Sequence, residues 1–213
     1  MNLPLNFSFP QTYIGMEKQG LFDIANFSNE DEPKKQKYVW LNEMEWMTRE
    51  EIINFDYDQD RSNFVVPFAF NANGDIWGWY LKDENIMPVV YCLHDDYEAT
   101  YYAASFEEAL FRQILDFSSQ SNFYGEQGSS YQMSLDEARM HLTGWKLKFG
   151  KCFKEEWLSE IDRLLSMELK FYKYPSKKMG EGHYVLITPE ECEYLTKKHL
   201  FFDLIDQNFQ WIS

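Results

Sequence analysis

The 213-residue chain reads as an α+β protein, with a central antiparallel or mixed sheet flanked by helices and a mainly helical C-terminal extension. Three observations predict this class. Residues 64–81, "FVVPFAFNANGDIWGWYL", are two β-rich apolar runs joined by a polar Asn-Gly turn, the pattern of a hairpin. A third such run, 87–93, follows directly. Helical periodicity then takes over behind N-cap signatures at Ser105, Ser134 and Thr188. The implied organisation is a first module over 1–117, a linker over 118–132 and a mainly helical extension over 133–213 packed on the first module.

Taken in order, residues 1–27 are aromatic and irregular, and Pro4 and Pro10 limit helix formation there. Residues 29–37, "NEDEPKKQK", read as a solvated loop, and "YVWL" (38–41) as a short strand. Thr48 and Glu51 form a capping box, with Met47 and Ile52 placed for a hydrophobic staple. The hairpin strands are 64–70 and 76–81. Asn73-Gly74 supplies positive φ angles between them. Pro67 has no N–H for a ladder, so its strand is an edge or carries a bulge. Gly78, between Trp77 and Trp79, marks a bulge or a close backbone approach.

After the third strand, His94-Asp95-Asp96-Tyr97 is a polar turn. Ser105 and Glu108 then open an amphipathic helix over 105–117, with Phe106, Ala109, Leu110, Ile114 and Phe117 at helical spacing. "SSQSNFYGEQGSSYQ" (118–132) has linker composition. Ser134 and Glu137 open a further helix. Residues 153–172 continue helical, with Trp157, Ile161, Leu164, Leu165 and Leu169 on one side. "HYVLI" (183–187) is a strand, and Thr188-Pro189-Glu190-Glu191 starts a helix running toward Phe209.

Apolar residues make up 45% of the chain and aromatics 18%, enough for a buried core. The net charge of −15 disfavours nucleic acid and anionic membrane surfaces as partners. Residues 1–117 hold 8 Lys+Arg against 21 Asp+Glu, and residues 118–213 hold 12 against 14. The acidity therefore belongs to the first module, where it favours solubility or steers a basic partner. Cys92, Cys152 and Cys192 are odd in number and form no CxxC pair, so reduced thiols in a cytoplasmic protein are expected. The opening residues carry no secretory pattern, and no apolar run reaches membrane-spanning length.

Motifs that carry chemistry are near misses. In Asn71-x-Asn73-Gly74-Asp75 the glycine stands fourth rather than sixth for a calcium loop, and Lys82 occupies the place of the bidentate Glu. Gly144 to Gly150, followed by Lys151 and Cys152, has one residue too many for a P-loop and lacks its Ser/Thr. No cofactor fingerprint is present, and no carboxylate pair stands out for glycosidase-type chemistry. His94, Asp95 and Asp96 have the residue types of a metal or acid–base site, but adjacent residues on one turn seldom chelate one ion. A solvated turn or a partner contact is the expected role. Trp77 and Trp79 share a face in regular β geometry, either as core or with one of them as an interface anchor.

Beside these readings stands a resemblance. "VPFAFNANGDIWGWYL" and "MPVVYCLHDDYEATYYAASFEEAL" resemble the central pattern of the SUKH superfamily, over about residues 7–117. Val66-Pro67-Phe68-Ala69, Gly74-Asp75, Pro88-Val89, His94-Asp95 and Ala104-Ser105-Phe106-Glu107-Glu108 stand at the matching places. "FPQTYI" is similar to the family's "LPxxY". The long helix that usually precedes that motif is missing or very short, and residues 118–213 lie outside the pattern. The resemblance implies an α+β domain without catalytic residues. Many bacterial members are immunity proteins that neutralise toxins, often nucleases, while relatives regulate yeast cell-wall synthesis.

Together these readings give a non-enzymatic protein-binding domain, an immunity protein occluding the basic active-site face of a toxin. The candidate partner contacts are Asp75, Trp77, Asp95, Asp96 and Glu98, all taken as accessible. The alternatives are a regulatory scaffold without a toxin partner, and a hydrolase using His94 and nearby carboxylates.

Overall fold

The computed structural model describes residues 3, 7–22, 45–55, 62, 64–71, 73–82, 86–120, 133–173, 182–202 and 211. The expected loop at 29–37, the strand at 38–41 and most of the linker (121–132) lie outside the described residues. The chain divides into two compact units, Met1–Ala109 with Phe202–Ser213, and Leu110–Phe201. This division differs from the sequence-based one: it falls inside a helix, and residues 202–213 group with the first module.

The first unit is built on a five-stranded antiparallel sheet in sequential order: β1 (Glu45–Trp46), β2 (Val65–Phe70), β3 (Ile76–Tyr80), β4 (Val89–Cys92) and β5 (Ala99–Ala103). The expected hairpin is β2–β3. Pro67 is accommodated by a register shift between Pro67 and Ala69, the bulge its missing N–H called for. Gly78 pairs with Pro67 at a close approach: a Cβ there would lie 2.6 Å from Val65 Cγ1 and 3.0 Å from the Val66 carbonyl oxygen. Only glycine fits without displacing β2.

Helix α1 (Gln11–Lys18) follows Pro10 directly. Its formation corrects the reading of residues 1–27 as irregular: Pro10 stands at the N-cap, where no intrahelical N–H is needed, and so does not interrupt the helix. Helix α2 (Arg49–Asn54) starts at Thr48 with both halves of the capping box formed. Helix α3 (Phe106–Ser119) starts behind Ser105, whose Oγ accepts from the Glu108 N–H at 3.1 Å. The Glu108 carboxylate accepts from Ala104 N, one residue earlier than a capping box requires. Ser118 and Ser119, expected in the linker, are the last turn of this helix.

Both faces of the sheet are covered. On one, Trp79 is fully buried against Phe68 (ring centroids 4.6 Å apart), Tyr13 (4.9 Å) and Phe106 (6.0 Å). The Tyr13 hydroxyl donates to the Met47 carbonyl, and burial pushes its pKa far up, so it stays neutral. On the other face Val65, Ile76, Tyr80, Val90 and Cys92 pack with Trp211. Each large apolar side chain removed from water in this way contributes roughly 1.5–3 kcal/mol.

The second unit contains the rest of α3, then α4 (Leu135–Phe149), a short 3-10 turn (Gly150–Cys152), α5 (Glu155–Leu165), the hairpin β6 (Lys170–Lys173)–β7 (Gly182–Val185) and α6 (Pro189–His199). Ser134 and Glu137 form a full capping box. Thr188 caps α6 through Glu191 N, but the Glu191 carboxylate turns instead to Arg163 (2.8 Å) and Lys170 (3.4 Å). The helix expected over 153–172 stops at Leu165, and residues 170–173 pair as a strand. Helix α6 likewise ends at His199, ten residues before Phe209. Phe111 stacks on Trp157 (4.9 Å) in the centre of the unit. Cys192 is buried and its thiol is pushed up to about 11, by burial first and the Asp116 charge second, which leaves it unreactive. Among the described residues no helix is long and apolar enough to cross a membrane.

Candidate functional site

The candidate site forms where β3 begins and β4 ends. Between β2 and β3 the chain turns through Asn71, whose Oδ1 accepts from the backbone N–H groups of Asn73 and Asp75, both at 3.0 Å. The Gly74 N–H donates to the Asn71 carbonyl, and Gly74 adopts φ +88°, a conformation that costs other residues about 1 kcal/mol or more. Thus the Asn71 side-chain oxygen that resembled a calcium ligand is a turn-builder. Of the positive φ angles expected at Asn73-Gly74, the one at Gly74 is present, and the turn itself closes from the Gly74 N–H to the Asn71 carbonyl.

The register of β3 on β4 pairs Trp77 with Tyr91 and Ile76 with Cys92, which brings Asp75 next to the residues that follow β4. Asp75 Oδ2 accepts from Asn71 Nδ2 (2.8 Å) and from the Tyr91 hydroxyl (2.9 Å). Its Oδ1 accepts from the His94 N–H (3.0 Å) and lies 2.8 Å from His94 Nδ1. Burial pushes the carboxyl up, but the hydrogen bonds from His94, Asn71 and Tyr91 outweigh this and hold it well below the usual carboxylate range. In turn Tyr91 is pushed up to about 12 by burial and by its bond to Asp75. The hydrogen bond to Asp75 raises His94, and the charge of Asp95 adds to it, while desolvation opposes.

This geometry corrects one expectation. Asp75 is 5% exposed, so it is not an accessible charge on a hairpin tip. Trp77 is half-buried, with its ring against Tyr91 (4.7 Å) and Tyr102 (4.3 Å). Asp95, Asp96 and Glu98 are exposed, as is every residue from 93 to 98. Within that turn the Asp96 N–H donates to the Leu93 carbonyl (3.3 Å), and the Glu98 N–H donates to Asp96 Oδ1 (3.1 Å). Tyr97, between Asp96 and Glu98 in sequence, is 63% exposed.

The turn is also held from a distant part of the chain. Trp211 donates from Nε1 to the Asp96 carbonyl (2.8 Å) and from its backbone N–H to the Tyr97 carbonyl (3.0 Å). Strand β5, Tyr91's role and the Trp211 contact are absent from the sequence-based reading. Of these, Tyr91 alone had a signal in the sequence, the alternation that places it on the face of Trp77.

Chemically, Asp75 fixes His94 with Nδ1 toward the carboxylate, and the His94 side chain is half-exposed. Every hydrogen bond of His94 among the described residues goes to Asp75. A cavity of about 410 Å³ is lined by Glu17, Phe22, Trp46 and Glu51, among others, and one of about 200 Å³ by Met47, Pro67, Phe70 and Ile76, among others. His94 lines neither. Comparison of the chain with family models, with curated proteins and with solved structures gave no match.

Proposed function

We propose that this chain is a non-enzymatic protein-binding domain whose 93–98 turn meets a basic partner, in the manner of the SUKH immunity proteins that the sequence resembles. The observation that carries this reading is the turn itself. Asp95, Asp96 and Glu98 are exposed around an exposed Tyr97, while the backbone beneath is fixed by Asp75 and Trp211. An exposed aromatic ring with exposed carboxylates on neighbouring residues suits an anchor-and-steering interface: the ring supplies contact area and the carboxylates supply rate. A turn already ordered before contact loses little conformational freedom on binding. The partner is a toxin domain with a basic, phosphate-binding face, and occlusion of that face is the mechanism.

The test uses three baits on a lysate of the native host: the wild-type chain, the D95N/D96N/E98Q variant, and a charge-matched control altered at exposed positions of the second unit (D136N/E155Q/E156Q). A basic protein retained by the wild type and the control but lost from the turn variant is the expected result, and its identity separates a toxin from a scaffold partner. Equal retention on all three baits overturns the assignment of the turn.

One observation favours a second reading, hydrolysis. The Asp75–His94 pair has the form of an oriented imidazole, the second half of a nucleophile–base–orienter arrangement. Purified H94Q with undiminished activity toward any ester, peptide or phosphodiester that the wild type cleaves would exclude it.

A further inference from the structure

We infer that Trp211 is a positioning residue for the acidic turn, so that a segment distant in sequence builds the surface on which a basic partner docks. The inference rests on the reading of the 93–98 turn as the binding surface. Trp211 and Asp96 are 115 residues apart, and their contact is polar on two sides: Nε1 to the Asp96 carbonyl, and the backbone N–H to the Tyr97 carbonyl. The Trp211 carbonyl in turn accepts from the Ser62 N–H at 2.7 Å, just ahead of β2. The indole is 1% exposed, seated in the cluster of Val65, Ile76, Tyr80, Val90 and Cys92.

Two consequences follow from this placement. First, the turn has few bonds of its own, a 3.3 Å contact from Asp96 N to the Leu93 carbonyl and the bond from Glu98 N to Asp96 Oδ1. Asp75 holds its beginning through His94 N, and Trp211 holds its middle through two carbonyls. With Trp211 removed, those carbonyls face water and the turn samples more conformations. Apparent affinity then falls in proportion to the fraction that remains binding-competent. Second, the two N–H donors present the positive ends of their dipoles to a turn that carries Asp95, Asp96 and Glu98. This partly offsets the repulsion among three like charges in a short span. An apolar plug of the same size would fill the cluster without doing so.

The test is amide hydrogen exchange on the full-length protein, read on peptides covering 93–99, with α3 as internal reference, in wild type, Trp211→Phe and Trp211→Ala. Phe keeps a ring in the cluster but removes the donor to Asp96. Because one such bond is worth up to about a factor of ten in an opening equilibrium, Trp211→Phe should speed exchange of the turn roughly three- to tenfold. Trp211→Ala should exceed that, and α3 should be unchanged in Trp211→Phe. If Trp211→Ala fails to fold, Trp211→Phe alone decides. Exchange in the turn within twofold of wild type overturns the positioning role and leaves the functional reading standing. A parallel titration with fluorescently labelled deca-lysine at low salt separates the two. Faster exchange together with weaker deca-lysine binding supports both. Faster exchange with unchanged binding supports the role of Trp211 in holding the turn and overturns the turn as the docking surface.

Discussion

Asp75 and His94 meet across the ends of two neighbouring strands, with Oδ1 2.8 Å from Nδ1 and 3.0 Å from the His94 backbone nitrogen. One carboxylate oxygen therefore fixes both the ring and the main chain of the residue that opens the acidic turn. The other oxygen is satisfied by Asn71 and Tyr91, so the buried charge has four donors from three residues. A buried carboxylate with this many partners is structural, because replacing it strands several donors at once.

Asp75→Ala should lower stability by on the order of 2–4 kcal/mol, since the loss of a hydrogen-bonded buried charge leaves its donors unsatisfied. Tyr91→Phe removes a single bond and should cost about 1 kcal/mol. Chemical denaturation of both variants and of the double variant measures this. The double variant should be less destabilised than the sum of the singles, because Tyr91 has no partner left once Asp75 is gone. A change below about 0.5 kcal/mol for Asp75→Ala would show that the cluster does not hold the turn.

The same pair sets a pH dependence with a definite sign. Asp75 is depressed in the folded state, so its contribution is complete above the unfolded carboxyl pKa of about 4 and is lost as pH falls through the folded value. His94 is raised, so its contribution is complete below about pH 6.5 and is lost as pH rises through the folded value. Between about pH 4 and 6.5 both are present. A melting-temperature profile should therefore fall on each side of that window, and His94→Gln should flatten the alkaline side most and, because the His94 ring is one of the groups that depress Asp75, weaken the acid side as well. A wild-type profile unchanged by His94→Gln would contradict the pairing.

Gly78→Ala tests the close approach of β2 and β3. Its Cβ would stand 2.6 Å from Val65 Cγ1 and 3.0 Å from the Val66 carbonyl oxygen, and backbone cannot yield cheaply. Overpacking of this kind costs about 1–3 kcal/mol or more. Gly74→Ala meets ordinary space, with His94 Cβ at 3.6 Å, but strains a φ of +88°. It should cost about 1 kcal/mol. Equal melting temperatures for Gly78→Ala and wild type would mean that the bulge at Pro67 relaxes to admit the methyl.

Which features were legible follows from how local their causes are. Thr48, Ser134 and Thr188 announce helices because an N-cap oxygen and the N–H three residues on form a single local bond. The β2–β3 hairpin was legible for the same reason, its turn residues lying beside its strands. By contrast, the burial of Asp75 depends on Tyr91 and His94, 16 and 19 residues away, and on a strand register that composition does not specify. Residues 170–173 pass for helix by periodicity, yet they pair with Gly182–Val185, a contact that no local propensity encodes. Trp211 lies 115 residues from the turn it supports, and nothing near it in sequence points there. Asp95, Asp96 and Glu98 were identifiable as exposed from the polarity of their turn, a signal that misled at Asp75, whose equally polar turn is tied down by Tyr91 and His94.

Asp95, Asp96 and Glu98 are exposed, whereas Asp75 belongs to the frame beneath them, so a charge test of the surface must leave Asp75 intact. In D95N/D96N/E98Q the Asn at 96 retains an oxygen to accept from Glu98 N, and folding should be preserved within about 0.5 kcal/mol. Exposed charges act over a screening length of about 8–10 Å, so they accelerate encounter more than they hold the bound state. The variant should therefore bind a basic partner with an on-rate lowered by about tenfold at low salt and with a flatter salt dependence, while the off-rate changes far less. Tyr97→Ala should show the opposite division, because a desolvated aromatic contact is made only after docking: an off-rate raised by about tenfold or more with the on-rate nearly unchanged. Surface plasmon resonance at two ionic strengths measures both. A turn variant that folds normally and associates at the wild-type rate at low salt would place the steering charges elsewhere on the acidic first module.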